Sequence, residues 1–338
     1  MKRLSYIASI LIAAASCSCV HPHTSPLSGV EERDGYCIKE LSIDGITSFL
    51  LVPDGATDVH PAPAVLMLHD HGARFDIGKE KLACPLASSP EYIRRSARQW
   101  VDKNFEGVFL ADSLCRMGYV VLVPDALYWG GRSSEDAQRW SRLSFSDETA
   151  PSDTLKMLKD RVYEGQMDVY EQCVSEMGKE WAEVILQDDL KALEWLSGQS
   201  FVNADRIASF GFSMGAHRSW FLAANTDLLH CAVAQNWMTM LSAADTTSAS
   251  SYSMSVSELR HRMDIPEIAS MASPTPMLMI AGERDHLFPR EAVEEAFGIM
   301  QSKYTPGALR TVFFDGEHEC PKRVQSIVVS YLDEQLKN

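Results

Sequence analysis

The sequence predicts a doubly wound α/β architecture, a mostly parallel sheet with helices on both faces and loop insertions at one rim. Two observations predict it. Short continuous apolar runs, the mark of strands buried on both faces, recur along the 338 residues. Segments of helical period lie between them, and that alternation is the sequence form of parallel strands joined by crossover helices. The composition, 46% hydrophobic and 23% charged, is that of a globular chain and excludes a disordered or collagen-like one. The chain shows no internal repeat of the kind that builds solenoids or propellers.

Taken in order, residues 36–52 read as a hairpin. The runs YCIKELSI and ITSFLLVP meet at Asp44-Gly45, a dipeptide favoured in two-residue turns. Ala64–Leu68 (AVLML) is the first continuous apolar run. Further strands are expected at Tyr119–Val123, Arg206–Phe210, His230–Ala234, Pro276–Ile280 and Leu309–Phe314. The clearest helix lies between Trp181 and Leu196, where Leu186, Leu190 and Leu193 fall at i, i+4 and i+7. Residues 73–106 and 130–180 are rich in charge with weak periodicity, and 241–262 is rich in Ser, Thr and Met. All three read as insertions on the loop face, where α/β proteins keep their specificity.

The first residues read as a targeting segment. Lys2 and Arg3 precede an apolar run from Leu4 to Ala15, and small residues lead into Cys17. Residues 1–17 thus resemble a lipoprotein signal, with Cys17 lipidated and Cys19 the alternative acceptor, since Ala14 stands where Leu is usual. An ordinary cleaved signal is the other reading. Residues 18–34 lack periodicity and are expected to form a flexible tether, leaving 35–338 as one domain. The expected location is periplasmic or cell-surface, with membrane contact only through the lipid. Export would allow Cys37, Cys84, Cys115, Cys173, Cys231 and Cys320 to pair, in a pattern that sequence does not choose. The chain has no uncharged apolar stretch long enough to span a bilayer. Its formal charge of −15, or −17 without the leader, repels phosphate backbones and argues against a nucleic-acid partner.

The strongest chemical signal is Gly211-Phe212-Ser213-Met214-Gly215, a G-x-S-x-G directly after a strand (RIASF) and opening a helix (AHRSWFLAA). A sharp strand-to-helix turn tolerates only small residues around it, and it lifts the serine hydroxyl above the sheet. A serine needs a base to become a nucleophile, and the base needs a carboxylate to hold its tautomer. Asp285 and His318 follow in that order, each just beyond a late strand, with Glu283 an alternative acid. The oxyanion donors are expected at the Met214 and His71 backbone N–H groups, the latter in the loop His69-Asp70-His71-Gly72. The His and Asp side chains of that loop read as scaffolding, not as metal ligands. Trp129 and Trp237 offer flat apolar faces to a sugar, and Arg74, Arg132 and Arg218 are candidates to receive a carboxylate. His217 reads as a packing residue.

From about residue 35 onward the chain resembles the α/β-hydrolase superfamily, in particular the dienelactone hydrolase and acetyl xylan esterase-like group. The stretches that carry the resemblance are PAVLMLHDHGARFDIGKEKL, GYVVLVPDALYWGGR, NADRIASFGFSMGAHRSW, MDIPEIASMASPTPMLMIAGERDHLFP and DGEHE. The HDHG-x-R-F-D-x-G-K-E-K stretch narrows it to a bacterial subgroup of exported carbohydrate esterases. The resemblance implies Ser213, Asp285 and His318 as triad, His71 and Met214 as oxyanion donors, and no cofactor or metal. Dienelactone hydrolases use cysteine as nucleophile, so Ser213 favours oxygen esters. Ala216 stands where many relatives have a second Gly, with little expected consequence. The expected activity is a serine esterase acting on acetyl groups, or methyl esters of uronic acids, of plant carbohydrates. Two alternatives are a serine peptidase of prolyl oligopeptidase-like type and a non-catalytic glycan-binding surface lipoprotein. Fewer than about forty residues precede the first expected strand, which leaves no room there for a propeller.

Overall fold

The computed structural model describes residues 22–145, 150–246 and 251–337. Cys17 and Cys19 lie outside them. One sheet organises the chain: β1 (Thr24–Pro26), β2 (Glu31–Arg33), β3 (Tyr36–Ile43), β4 (Ile46–Pro53), β5 (Ala62–Leu68), β6 (Val120–Pro124), β7 (Val202–Phe212), β8 (Cys231–Gln235), β9 (Met277–Gly282) and β10 (Leu309–Phe314). Their order across the sheet is β1-β3-β4-β6-β5-β7-β8-β9-β10, with β2 also paired to β3. From β6 through β5 to β10 every pair is parallel, and the β3–β4 hairpin adds antiparallel to β6. The hairpin turn has positive φ at both Asp44 and Gly45, as the tight primed turn requires.

Period-2 geometry divides the apolar residues between two cores. On β5, Leu66 and Leu68 pack on one face while Val65 and Met67 pack on the other. The first face carries α4 (Ser152–Met177), α5 (Trp181–Ser197), α6 (Met214–Asn225) and α7 (Arg290–Lys303), and includes Leu186, Leu193 and Trp220. The second carries α1 (Glu91–Asn104), α2 (Leu110–Arg116) and α8 (Lys322–Leu336). Burial on both faces explains why β6, β8 and β9 are apolar without alternation. Among the described residues no helix is long and apolar enough to cross a membrane.

Two expectations need correction. Residues 24–33 are not tether: Thr24–Pro26 and Glu31–Arg33 pair antiparallel with β3. These strands are short, polar and exposed, so no hydrophobic period announces them. The open backbone edge of β3 supplies their partners. The six cysteines of the folded part are all unpaired thiols. The weak helical periodicity of 130–180 corresponds to two helices, α3 (Glu135–Ser144) and the 26-residue α4, of which Leu158, Val162 and Cys173 are buried in α4. So narrow an apolar stripe leaves only a faint period.

Arg33 anchors the N-terminal strands. Its guanidinium donates to Asp112 Oδ1 at 3.1 Å and to the Cys84 and Pro85 carbonyls at 3.0 and 2.9 Å. Asp112 is buried, and breaking such a pair strands a charge, at a cost reduced here because Arg33 is partly exposed. Arg33→Met is expected to lower unfolding stability by about 2 kcal/mol in urea titrations at pH 7. A change below about 0.5 kcal/mol would show that these strands are dispensable to the fold.

Candidate active site

Four strand ends converge on one cavity of about 380 Å³. Ser213 sits between β7 and α6 with φ 56 and ψ −123, a strained conformation for a non-glycine residue. Its neighbours explain the small residues of the motif. A Cβ on Gly211 would lie 1.8 Å from the Gly215 carbonyl oxygen, and one on Gly215 would lie 1.8 Å from that of Leu68. The Ser213 N–H donates to the Gln235 carbonyl at 2.8 Å, tying the turn to the end of β8.

Ser213 Oγ lies 2.8 Å from His318 Nε2, and His318 Nδ1 lies 2.7 Å from Asp285 Oδ2. An ionised carboxylate only accepts, so Nδ1 carries the proton and Nε2 is free to accept from the serine. Burial alone would raise the Asp285 carboxyl. Hydrogen bonds from His318, the Leu287 N–H and Asn236, with the charge of His318, outweigh it and hold the group below the usual range. Asp285 and His318 thus stand where Ser213 can use them. Glu283 points elsewhere, pairing with Arg290 at 3.0 Å.

Sequence reasoning missed the residues that hold His318. Asn236, at φ 57, donates to Asp285 Oδ2 at 2.9 Å and to the Glu317 carbonyl at 3.0 Å. Gln235 donates to the Glu319 carbonyl at 2.8 Å. The histidine's loop is therefore gripped on both sides from the end of β8. A polar Gln-Asn pair closing an apolar strand was the available signal.

The cavity wall carries Asp70, His71, Gly72 and Ala73 on one side, with Trp100 and Asn104 from α1 beside them. Ser251, Met254 and Leu287 also face it, so the 241–262 segment does reach the site. His71 lines the same cavity as Ser213, and Met214 opens α6 directly after it. The five expected substrate contacts are a correction, since none of them lines the cavity. Arg74 is buried against Asp76 at 3.1 Å, Arg132 pairs with Asp188 at 2.8 Å, and Arg218 with Asp189 at 2.6 Å. A guanidinium flanked by an acid in a low-dielectric interior pairs with it before any ligand arrives. Trp129 is fully buried and donates from Nε1 to the His71 carbonyl at 2.9 Å, and Trp237 is buried with Nε1 on Met254 Sδ. The walls carry the rings of Trp100 and Phe212 instead.

The histidines of this region are scaffold. Ala126 N–H donates to His69 Nε2 at 3.0 Å, so Nδ1 carries the proton and faces the Asp70 carbonyl at 2.9 Å. His217 packs among Trp220, Phe221 and Trp237. Among the described residues, no group of three or more His, Cys, Asp or Glu side chains is arranged to hold a metal.

A mostly parallel sheet with this strand order and a strained serine at the strand-to-helix turn make up the α/β-hydrolase fold, and this chain has that fold. Residues 170–337 match the prolyl oligopeptidase family. A Bacillus subtilis (strain 168) protein described as "Putative hydrolase YtaP" is 25% identical over 272 residues, 80% of this chain and 71% of that one. A glucuronoyl esterase from Solibacter usitatus has the same fold, with TM-score 0.60 at 13% identity over 94% of this chain and 87% of its own. Acetyl xylan esterase 1 from Thermoanaerobacterium sp. JW/SL YS485 gives TM-score 0.56 at 13% identity, covering 98% and 92%.

Burial drives His69 and His217 well below the ordinary histidine range, with nearby arginine and lysine charges adding to the effect. Their folded values are depressed, so the unfolded chain takes up these protons first as pH falls below about 6.5. Stability from this source is complete above that pH and is lost on acidification. The expected slope is about 1.4 kcal/mol per pH unit for each histidine between roughly pH 5.5 and 4.5. Urea titrations across that window test it; His71 is depressed likewise, to about 3, so His217→Phe should reduce the histidine slope by about a third.

Proposed function

We propose that this chain is a serine esterase that removes ester substituents from carbohydrates, and that acetyl groups are its main target. The observation that carries the reading is the unbroken Asp285–His318–Ser213 hydrogen-bonded series opening on a cavity. In this reading His318 Nε2 takes the proton of Ser213 Oγ as the oxygen attacks the ester carbonyl. The negative charge on the carbonyl oxygen is received by the Met214 and His71 N–H groups. Asp285 holds the imidazolium, which then protonates the departing sugar oxygen. Water, deprotonated by the same imidazole, hydrolyses the acyl-serine and releases the acid. No step calls on a cofactor.

Two features favour acetyl esters over methyl esters of uronic acids. None of the described residues lining the cavity is arginine or lysine. The chain is also strongly acidic, which disfavours a polyanionic pectin-like substrate. The match to the prolyl oligopeptidase family supports a peptidase as a second reading. A prolyl peptide amide therefore belongs beside the esters in the assay. We further propose that the protein is exported and anchored by lipid at Cys17, on the strength of its N-terminal sequence.

Acetate release from acetylated xylan and turnover of an aryl acetate are expected, with methanol release from pectin weaker. Ser213→Ala should lower kcat by about 10⁶ and Asp285→Asn by about 10⁴. Cleavage of the peptide amide without ester turnover would replace this reading with the peptidase. In a bacterial host, labelling with a radioactive fatty acid should depend on Cys17, and labelling that persists in Cys17→Ala would move the anchor to Cys19.

A further inference from the structure

The stretch Gly78-Lys79-Glu80-Lys81 places two lysines in the interior, and the reaction as written uses neither. Lys79 has an evident structural partner, Asp125, whose carboxylate takes its Nζ at 2.9 Å and its backbone N–H at 2.7 Å. Lys81 has a different surrounding. It is fully buried, and its Nζ donates to the Asp70 and His71 carbonyls, both at 2.8 Å. The Asp70 carboxylate stands farther off, at 3.5 Å, and the Trp100 ring lies on another side.

We propose that Lys81 is a positioning residue for the oxyanion hole: its ammonium holds two consecutive carbonyls of the loop after β5 so that the His71 N–H faces Ser213. The argument is geometric. In a trans peptide the C=O and the following N–H point to opposite sides of the chain. The Asp70 carbonyl is held from the buried side by Lys81 and by the His69 Nδ1–H. The N–H of the same peptide, that of His71, must then point away from Lys81, toward the cavity that His71 lines. The next carbonyl, that of His71, is held by Lys81 and by the Trp129 indole. The loop needs such anchors because Gly72 and Ala73 both adopt positive φ, a conformation that Ala does not hold unaided. A cation beneath two carbonyls also polarises the peptide, which strengthens the N–H as a donor. This inference rests on the esterase reading above.

The ammonium gives both carbonyls a charge-assisted donor, which a neutral amine with its two N–H groups would hold more weakly. Burial lowers the Lys81 ammonium to about 8, Asp70 and Asp76 pull it upward, and Arg74 opposes them. The other titratable neighbours, His69 and His71, are held neutral by burial.

The test uses Lys81→Met and an aryl acetate, with a trifluoromethyl ketone whose adduct on Ser213 carries the oxyanion. The expected result is a kcat about 10–100-fold lower, since a whole donor is worth about 10²–10³. KM should stay within threefold, and the ketone should bind more weakly by the same factor as the loss in kcat. A kcat within twofold of wild type overturns the proposal, as does a lost kcat with unchanged ketone affinity. Should Lys81→Met fail to fold, the wild-type protein decides. Its kcat should fall several-fold between pH 7 and 10 while the fold persists, and a level kcat to pH 10 overturns the proposal. Wild-type turnover that survives Ser213→Ala would overturn the esterase reading instead.

Discussion

Gly215, at the start of α6, lies so close to the end of β5 that even one methyl group would strike the Leu68 carbonyl. That approach constrains much of the site. It seats the helix behind the nucleophile directly against the strand whose loop carries His71. The strained Ser213 backbone, of a kind that costs about 1–3 kcal/mol, is held by contacts on both sides of the turn. From β8 come the anchors of the other half: the Gln235 carbonyl takes the Ser213 N–H, and the side chains of Gln235 and Asn236 grip the loop of His318. Parallel strands that end together are what allow these separate loops to meet.

Beneath the site lies a layer of buried charge. Arg74 with Asp76, Lys79 with Asp125, and Arg218 with Asp189 all sit in the interior. Such pairs add little net stability, because desolvation offsets most of their attraction. Their geometry is directional, however, and here it falls on the loops that shape the cavity floor. Arg218 reaches the His69 carbonyl at 3.4 Å, and Asp125 gathers the Gly131 and Lys79 N–H groups with the Thr47 hydroxyl. Histidines in this layer are neutral and serve as hydrogen-bonding struts. The arginines that a carboxylate substrate would need have been spent on the scaffold, which leaves a wall with no arginine or lysine among the described residues.

Elements buried on both faces were legible because their apolar runs are continuous, and β5 to β10 fall within a few residues of where those runs lie. The elbow and the two late-strand loops were legible for a related reason: steric and chemical demands there restrict residue type at fixed places along the chain. The edge strands β1 and β2 were not, since they bury little apolar surface and join β3 through backbone, with Arg33 their side-chain anchor. Helix α4 left only a weak helical period because three of its 26 residues are buried.

Local chemistry along the chain thus determined which strands are buried, where the sharp turn falls, and which serine, acid and histidine are candidates to act together. Only the tertiary structure decided which side chains reach the cavity. It placed Trp100 on the wall in place of Trp129 and Trp237, and turned Arg74, Arg132 and Arg218 toward buried acids. The physical reason is that pairing and exposure depend on neighbours distant in sequence. Asp189 and Arg218, or Lys81 and the Asp70 carbonyl, become partners only once the sheet has brought their loops into one layer.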